Sequence, residues 1–416
     1  MREMKDSSVE WIGEIPAHWS PIRFRFVAKI TTGNQDTQNA DPDGEYPFYV
    51  RSPIVERCNN YTFDGKGILM AGDGAGAGRV FHLVDGKYAV HQRVYRFYDF
   101  KYMDPVLLKY YLENLFATVM DYGSAKTTVP SVRLPMIQDF VVCVPPKKEQ
   151  DNIVAVLNEK CAHVGSLISN VQAQIEKLKA YKQSLITDVV TKGLDPTVPM
   201  KDSGFDWIGS IPAHWENLRV KYIGDTQNGI SKGGEYFGSG YPFVSYGDVY
   251  KNMELPHTVV GLIESTDAER ENYSVKKGDI FFTRTSETIE EAGFSSVCAE
   301  TIDDATFAGF LIRLRPFNDA MTTQYAKYYF RGEHIRRYLV KEMNLVTRAS
   351  LGQGLLKAMT VLIPPHGEQI AIAEYLDEKC AQIDRLIALK QSKIEKLEQY
   401  KRSLIYEYVT GKKEVS

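Results

Sequence analysis

The stretch closest to a chemical motif is Gly72-Asp73-Gly74-Ala75-Gly76-Ala77-Gly78. Alternating glycines suit a dinucleotide-binding turn only when a helix follows and points its N-terminus at the pyrophosphate. Here Arg79-Val80-Phe81-His82-Leu83-Val84 follows, which reads as strand. The matching stretch of the second half, Thr283-Arg284-Thr285-Ser286, has no glycine. A turn at a sheet edge is therefore expected. No Walker lysine motif, His-Glu-x-x-His or Gly-x-Ser-x-Gly occurs. The Asn-Pro-Pro-aromatic motif of amino-methyltransferases is also missing, since Val144-Pro145-Pro146 and Ile363-Pro364-Pro365 lack both the asparagine and the aromatic. His18 and His214 have neither nucleophile nor acid beside them and are expected to anchor a loop. The pairs Glu290-Glu291 and Asp303-Asp304 read as solvated surface. Cys58, Cys143, Cys161, Cys298 and Cys380 form no C-x-x-C and no metal spacing, which predicts free thiols in a reducing cytoplasm. No catalytic centre is expected.

The elements that hold these residues come in duplicate. MKDSSVEWIGEIPAHW at 4–19 recurs as MKDSGFDWIGSIPAHW at 200–215, an offset of 196. All four tryptophans lie in these two copies, and the proline within each predicts a structured loop leading into a strand. A second repeat opens on Pro145-Pro146 with Glu149-Gln150, and again on Pro364-Pro365 with Glu368-Gln369. Prolines pre-set φ at a helix entrance and a glutamate suits the positive end of the helix dipole. Leu157, Val164, Val171, Leu178 and Leu185 then recur at sevens, as do Leu376, Ile383, Leu397 and Leu404. Ile153, Leu167 and Tyr181, and Ile372, Leu386 and Tyr400, are expected to fill the alternate positions of a coiled-coil seam. Lys160, Gln174, Lys379, Lys390 and Lys393 interrupt it. About 42 helical residues would span about 60 Å.

Between loop and helix each half holds a region that reads as strands with short helices. Tyr46–Val50 parallels Tyr241–Val244, and Lys66–Met70 parallels Lys277–Phe282. Tyr88–Phe97 and Thr306–Leu314 are each expected to be one strand, with helices at Pro105–Phe116 and Thr322–Tyr338. The helix repeat has an offset of 219, so the second β region is 23 residues longer. Closely similar loops and helices with divergent β regions predict an α+β, pseudo-twofold protein: one scaffold with two differing heads. The expected boundaries are 1–145, 146–193, 194–363 and 364–416. The net charge of −3, the pI near 6.3 and 25% charged residues give no global signature of a nucleic-acid binder. No apolar run reaches the roughly 18 residues of a membrane span, so a soluble chain is expected.

The two EWIGEIPAHW-type loops, the two PPxxEQ helices and the Gly-Leu-Asp-Pro-Thr-Val-Pro-Met junction at 193–200 together resemble the specificity subunit of type I restriction–modification enzymes. The resemblance covers nearly the whole chain. It implies two target recognition domains separated by two long helices in an antiparallel coiled coil, each domain reading one half of a bipartite double-stranded DNA site. It also implies two methyltransferase subunits docked on the helices and domains, with two motor-nuclease subunits joining where the system restricts. S-adenosylmethionine and ATP would belong to those partners, with no cofactor in this chain. The first head has about 14 Lys/Arg against about 13 Asp/Glu. Because phosphate contacts dominate affinity, weak DNA binding by the chain alone is expected. Base readout uses Arg, Lys, Asn, Gln and hydroxyls from loops. The candidates are Arg51, Arg79, Lys126, Thr127 and Arg133, then Asn228, Lys232, Arg284, Thr285, Ser286, Arg348 and Gln353. The loops Gly123–Arg133 and Asn344–Gly354 gather several of them. The rival reading is a coiled-coil adaptor that binds only protein.

Overall fold

The computed structural model describes residues 2–123, 130–286, 292–343 and 349–415. The chain divides into two compact units, Met1–Gln172 with Gln391–Ser416, and Ala173–Lys390. The fold class is α+β, as expected.

In the first unit Met4–Asp6 and Glu14–Pro16 form a hairpin that delivers Trp19 to the core. Ser20–Arg23 then pairs with Val141–Val144, the last strand of the head. The central sheet is antiparallel in the order Lys29–Thr32, Val94–Tyr98, Gly67–Ala71, Phe81–Val84. Helix Pro105–Gly123 buries Leu107, Leu108, Tyr111, Leu112, Leu115 and Phe116 with Ile68, Met70 and Phe97 of that sheet. A smaller sheet places Tyr46–Tyr49 beside Lys87–Val90 in parallel.

The second unit repeats this plan. Its central sheet runs Gly224–Asn228, Leu311–Pro316, Ile280–Thr283, Ser295–Val297. Phe237–Val244 pairs in parallel with Thr306–Phe307, whereas Glu216–Arg219 pairs antiparallel with Thr360–Ile363. Arg96 and Arg313 occupy one position of the plan and are both buried.

Two expectations change. Tyr88–Phe97 and Thr306–Leu314 are not single strands: the first breaks after Val90 and the second after Phe307, and the second piece of each crosses to the other sheet. The β-branched and aromatic run fits a strand on both sides of the break, so composition alone cannot locate it. The helix expected at Thr322–Tyr338 is two, Thr323–Tyr329 and Glu333–Glu342, divided at Gly332.

The long helices are Lys147–Lys192 and His366–Val409. Each is followed by a glycine with positive φ, Gly193 at +74° and Gly411 at +69°, the usual left-handed helix stop. Inside the second unit Lys182 bonds Asp384 (2.7 Å) and Lys390 bonds Gln174 (2.5 Å). Rising numbers meet falling ones, so the helices run antiparallel there. Inside the first unit Ile153, Leu157 and Cys161 share a core with Leu404, Ile405 and Tyr408.

The seam differs from a strict heptad. Leu157, Val164, Val171, Leu376, Ile383 and Leu404 are buried, while Leu178, Leu185 and Leu397 are half-buried. Tyr181, Leu386 and Tyr400 are exposed, not in the seam. The buried line instead runs 153, 157, 161, 164, 171, 175 and 372, 376, 380, 383, 394. Steps of four and three follow the 3.6-residue turn, which drifts about 20° per heptad from a 3.5 repeat. Cys161 and Cys380 thus take the core places beside Lys160 and Lys379.

His334 gives the second unit an acid-sensitive point. Its ring is fully buried against Tyr329, and neither nitrogen has a hydrogen-bond partner among the described residues. Burial, aided by the charge of Arg337, pushes its pKa down to about 3. The unfolded chain protonates this histidine near 6.5, so between those values the unfolded state binds more protons and stability falls as pH drops. From pH 6 to pH 5, wild-type unfolding free energy is expected to fall by about 1 kcal/mol more than that of His334→Phe. Equal slopes in urea titrations at the two pH values would contradict this.

Candidate nucleic-acid interface

Both units gather five loops at one end of the central sheet, and the same backbone hydrogen bonds hold them. Gly72 N donates to Arg93 O (2.9 Å), as Arg284 N does to Phe310 O (2.8 Å). Val132 N donates to Gly72 O, and Leu351 N to Arg284 O, both at 2.7 Å. His91 N reaches Tyr49 O, as Ala308 N reaches Val244 O, both at 3.0 Å. Gln35 N and Ile230 N bond Val90 O and Phe307 O. Gly33 and Gly229 are needed beside these bonds, because a Cβ would lie 2.0 Å from Val90 O or 2.2 Å from Phe307 O. The two ends therefore correspond residue by residue: Gly72 with Arg284, His91 with Ala308, Arg93 with Phe310, Val132 with Leu351.

In the first unit Arg51, Arg79 and Arg133 all reach this end. Arg51 lines a cavity of about 600 Å³ with Thr37, Ser52, Asp73, Gly74 and Val80. Its Nη1 lies 3.1 Å from Asp73 Oδ1, and Arg93 Nη1 lies 3.4 Å from Asp73 Oδ2. The glycine cluster is the turn between two antiparallel strands, the second of them the sheet edge, and no helix follows it. Gly76 faces Arg51 O, where a Cβ would sit at 2.5 Å. Arg79 is exposed beyond the turn, and Arg133 is exposed at the entrance of the short helix Leu134–Gln138. Lys126 and Thr127 lie outside the described residues.

In the second unit Asn228 accepts from Gln353 Nε2 (3.1 Å), and Gln353 Oε1 accepts from Thr226 (2.9 Å). Lys232 is turned inward, its ammonium bonded to Glu269 (2.7 Å) and to Glu264 O (2.8 Å). Arg284 and Thr285 occupy the turn, and Thr285–Ser286 pairs with Ala349–Ser350. Nothing is described of the Ser286 side chain, and Arg348 lies outside the described residues. Arg93 and Phe310 were missed because both sit at the strand breaks; Gly309 is the single local signal, and the first half has none.

The duplicated motifs position these ends. Glu149 accepts from His18 (2.5 Å), Trp19 Nε1 (3.0 Å) and Arg2 (3.0 Å). Glu368 accepts from His214 (2.7 Å) and Trp215 Nε1 (2.9 Å). The histidines and tryptophans are thus loop anchors, as expected. Partial burial pushes the Glu149 carboxyl up, but the donors Trp19 and His18 and the Arg2 charge outweigh it and leave it below the ordinary carboxylate value. Gln150 Oε1 accepts from Asp104 N (2.7 Å), while its Nε2 donates to Tyr102 O (2.7 Å) and Pro145 O (2.8 Å). Gln369 does the same with Thr322 N, Ala320 O and Pro364 O at 2.7, 2.8 and 2.9 Å. Each conserved-looking pair of the two copies is a joint between a long helix and its own head. Among the described residues there is no cluster of metal-ligating side chains and no helix long and apolar enough to cross a membrane.

The family model described as "Type I restriction modification DNA specificity domain" matches residues 16–177 and again 212–399. The type I restriction enzyme MjaVIII specificity subunit of Methanocaldococcus jannaschii is 24% identical over 412 residues, 96% of this chain and 93% of the relative. The EcoDI specificity subunit of Escherichia coli is 28% identical over 180 residues, 42% of this chain and 38% of that protein. A chain from a solved structure on complex assembly and conformational transition of the type I R-M system has a TM-score of 0.70 at 17% identity. It covers 95% of this chain and 99% of its own length, which shows a shared fold. Two matches that each take in one head with its helix, and jointly cover most of the sequence, place this chain in the type I restriction–modification DNA specificity family.

Proposed function

We propose that this chain is the sequence-recognition subunit of a cytoplasmic type I restriction–modification system, with no catalytic role of its own. One observation carries the reading: two heads share a single backbone plan and the same five-loop end, yet present different side chains there. A protein that reads two different half-sites needs that combination. The heads are residues 1–145 and 194–363, and the helices 146–193 and 364–416 set the distance between the half-sites. Two methyltransferase subunits supply S-adenosylmethionine and methylate an adenine in each half-site; two ATP-driven motor-nuclease subunits join them for restriction. The near balance of charge in the first head leaves those partners to supply much of the phosphate contact.

Adenine-methylation mapping of the host chromosome, with the gene intact and disrupted, tests this. A bipartite methylated motif present only with the intact gene is expected. Methylation unaffected by disruption would leave the protein-only adaptor standing. Replacing residues 20–140 with those of another family member is further expected to change one half of that motif and leave the other as it was. A change in both halves would contradict two independent heads.

A further inference from the structure

We propose that the loop position held by Arg93 in the first head and Phe310 in the second is a base-reading position: Arg93 reads a guanine, and Phe310 contacts the methyl group of a thymine in the other half-site. This rests on the DNA-recognition reading above and adds the bases.

The backbone of this position is fixed while its side chain is presented. The carbonyl accepts from residue 72 or 284, and the next amide donates to residue 91 or 308 (2.9 Å in both). Yet Arg93 is 65% exposed and Phe310 64%. A side chain offered from a locked backbone loses little freedom on binding, which is what precise recognition requires.

In the first head Asp73, only 16% exposed, gives one carboxylate oxygen to Arg51 and the other to Arg93. This aims the Arg93 guanidinium and leaves most of its five donors unused. The trio carries a net charge of +1, so it favours a base edge made of acceptors. In the major groove only guanine offers two adjacent acceptors, O6 and N7; adenine sets a donor beside its N7.

In the second head Thr285 stands where Asp73 does, facing Ser350 as Asp73 faces Ser131. The carboxylate and the arginine are both absent there, so the change is concerted. Among the described residues Phe310 belongs to none of its unit's hydrophobic clusters. An unpacked ring on a loop tip has no donor or acceptor to offer, and the thymine methyl is the apolar feature of the major groove.

The test is the host methylation map with wild type, Arg93→Ala, Arg93→Gln and Phe310→Ala. Arg93→Ala is expected to lose about 10–100-fold discrimination at one guanine in one half-site, leaving the other half intact. Arg93→Gln should shift that position towards adenine. Phe310→Ala should relax one thymine in the opposite half only. Uniformly weaker methylation with an unchanged motif would assign Arg93 to a phosphate and overturn the proposal. So would relaxation at a base other than guanine, or both variants acting on one half. If Arg93→Ala abolishes methylation, Arg93→Gln decides: an unchanged guanine overturns the proposal, an altered one supports it. A wild-type map with no bipartite motif would instead remove the recognition reading itself.

Discussion

Gln150→Leu and Gln369→Leu are each expected to destabilise their own unit by about 3 kcal/mol. Leucine matches glutamine in bulk but makes none of its three hydrogen bonds. It would strand Asp104 N with the carbonyls of Tyr102 and Pro145, or Thr322 N with those of Ala320 and Pro364. Both glutamines are almost fully buried, so water cannot take over, and each stranded group costs about 1–3 kcal/mol. The added apolar burial offsets part of that. Gln391→Leu, on the exposed surface of the second helix, should stay within about 0.5 kcal/mol of wild type. Urea unfolding of the three variants provides the comparison. A loss below about 1 kcal/mol at both buried sites would mean that the helix–head joints do not depend on these amides.

That joint was legible in the sequence as identity without a reason. Glu-Gln after a double proline, and His-Trp at the end of the loop, recur in both halves, and the expected anchoring role of the histidines is what the geometry shows. The carboxylate shared by His18 and Trp19 could not be paired with them by spacing, since 130 residues separate Trp19 from Glu149. The five-loop ends were partly legible: polar residues around Arg51 and Arg133, and around Asn228 and Gln353, were singled out, and each pair lies in the loops at the end of its own unit's sheet. Arg93 and Phe310 were hidden because a run of strand-favouring residues passes through a sheet-to-sheet crossing with little punctuation. Strand propensity reports a fit to a pleated surface, and both sides of each crossing satisfy it.

The helix seam keeps its heptad residues but not all its alternate positions, for a different reason. Sevens of leucine and valine were real, but the helix keeps its own 3.6-residue turn, so small Cys161 and Cys380 enter the core while Tyr181, Leu386 and Tyr400 leave it. The consequence is a second large effect. Deleting residues 168–174 together with 391–397 removes one matched heptad along the register indicated by Gln174 and Lys390. The helices shorten by about 10 Å, and their faces turn by only about 20°. Ten ångströms of duplex is about three base pairs, but three base pairs also rotate the groove by about a third of a turn. Distance favours a spacer three shorter and azimuth favours a smaller change. The expected methylated motif therefore keeps both half-sequences and has a spacer one to three base pairs shorter, with the original spacing no longer modified. Retention of the original spacing by a folded deletion variant would show that the helices do not set it.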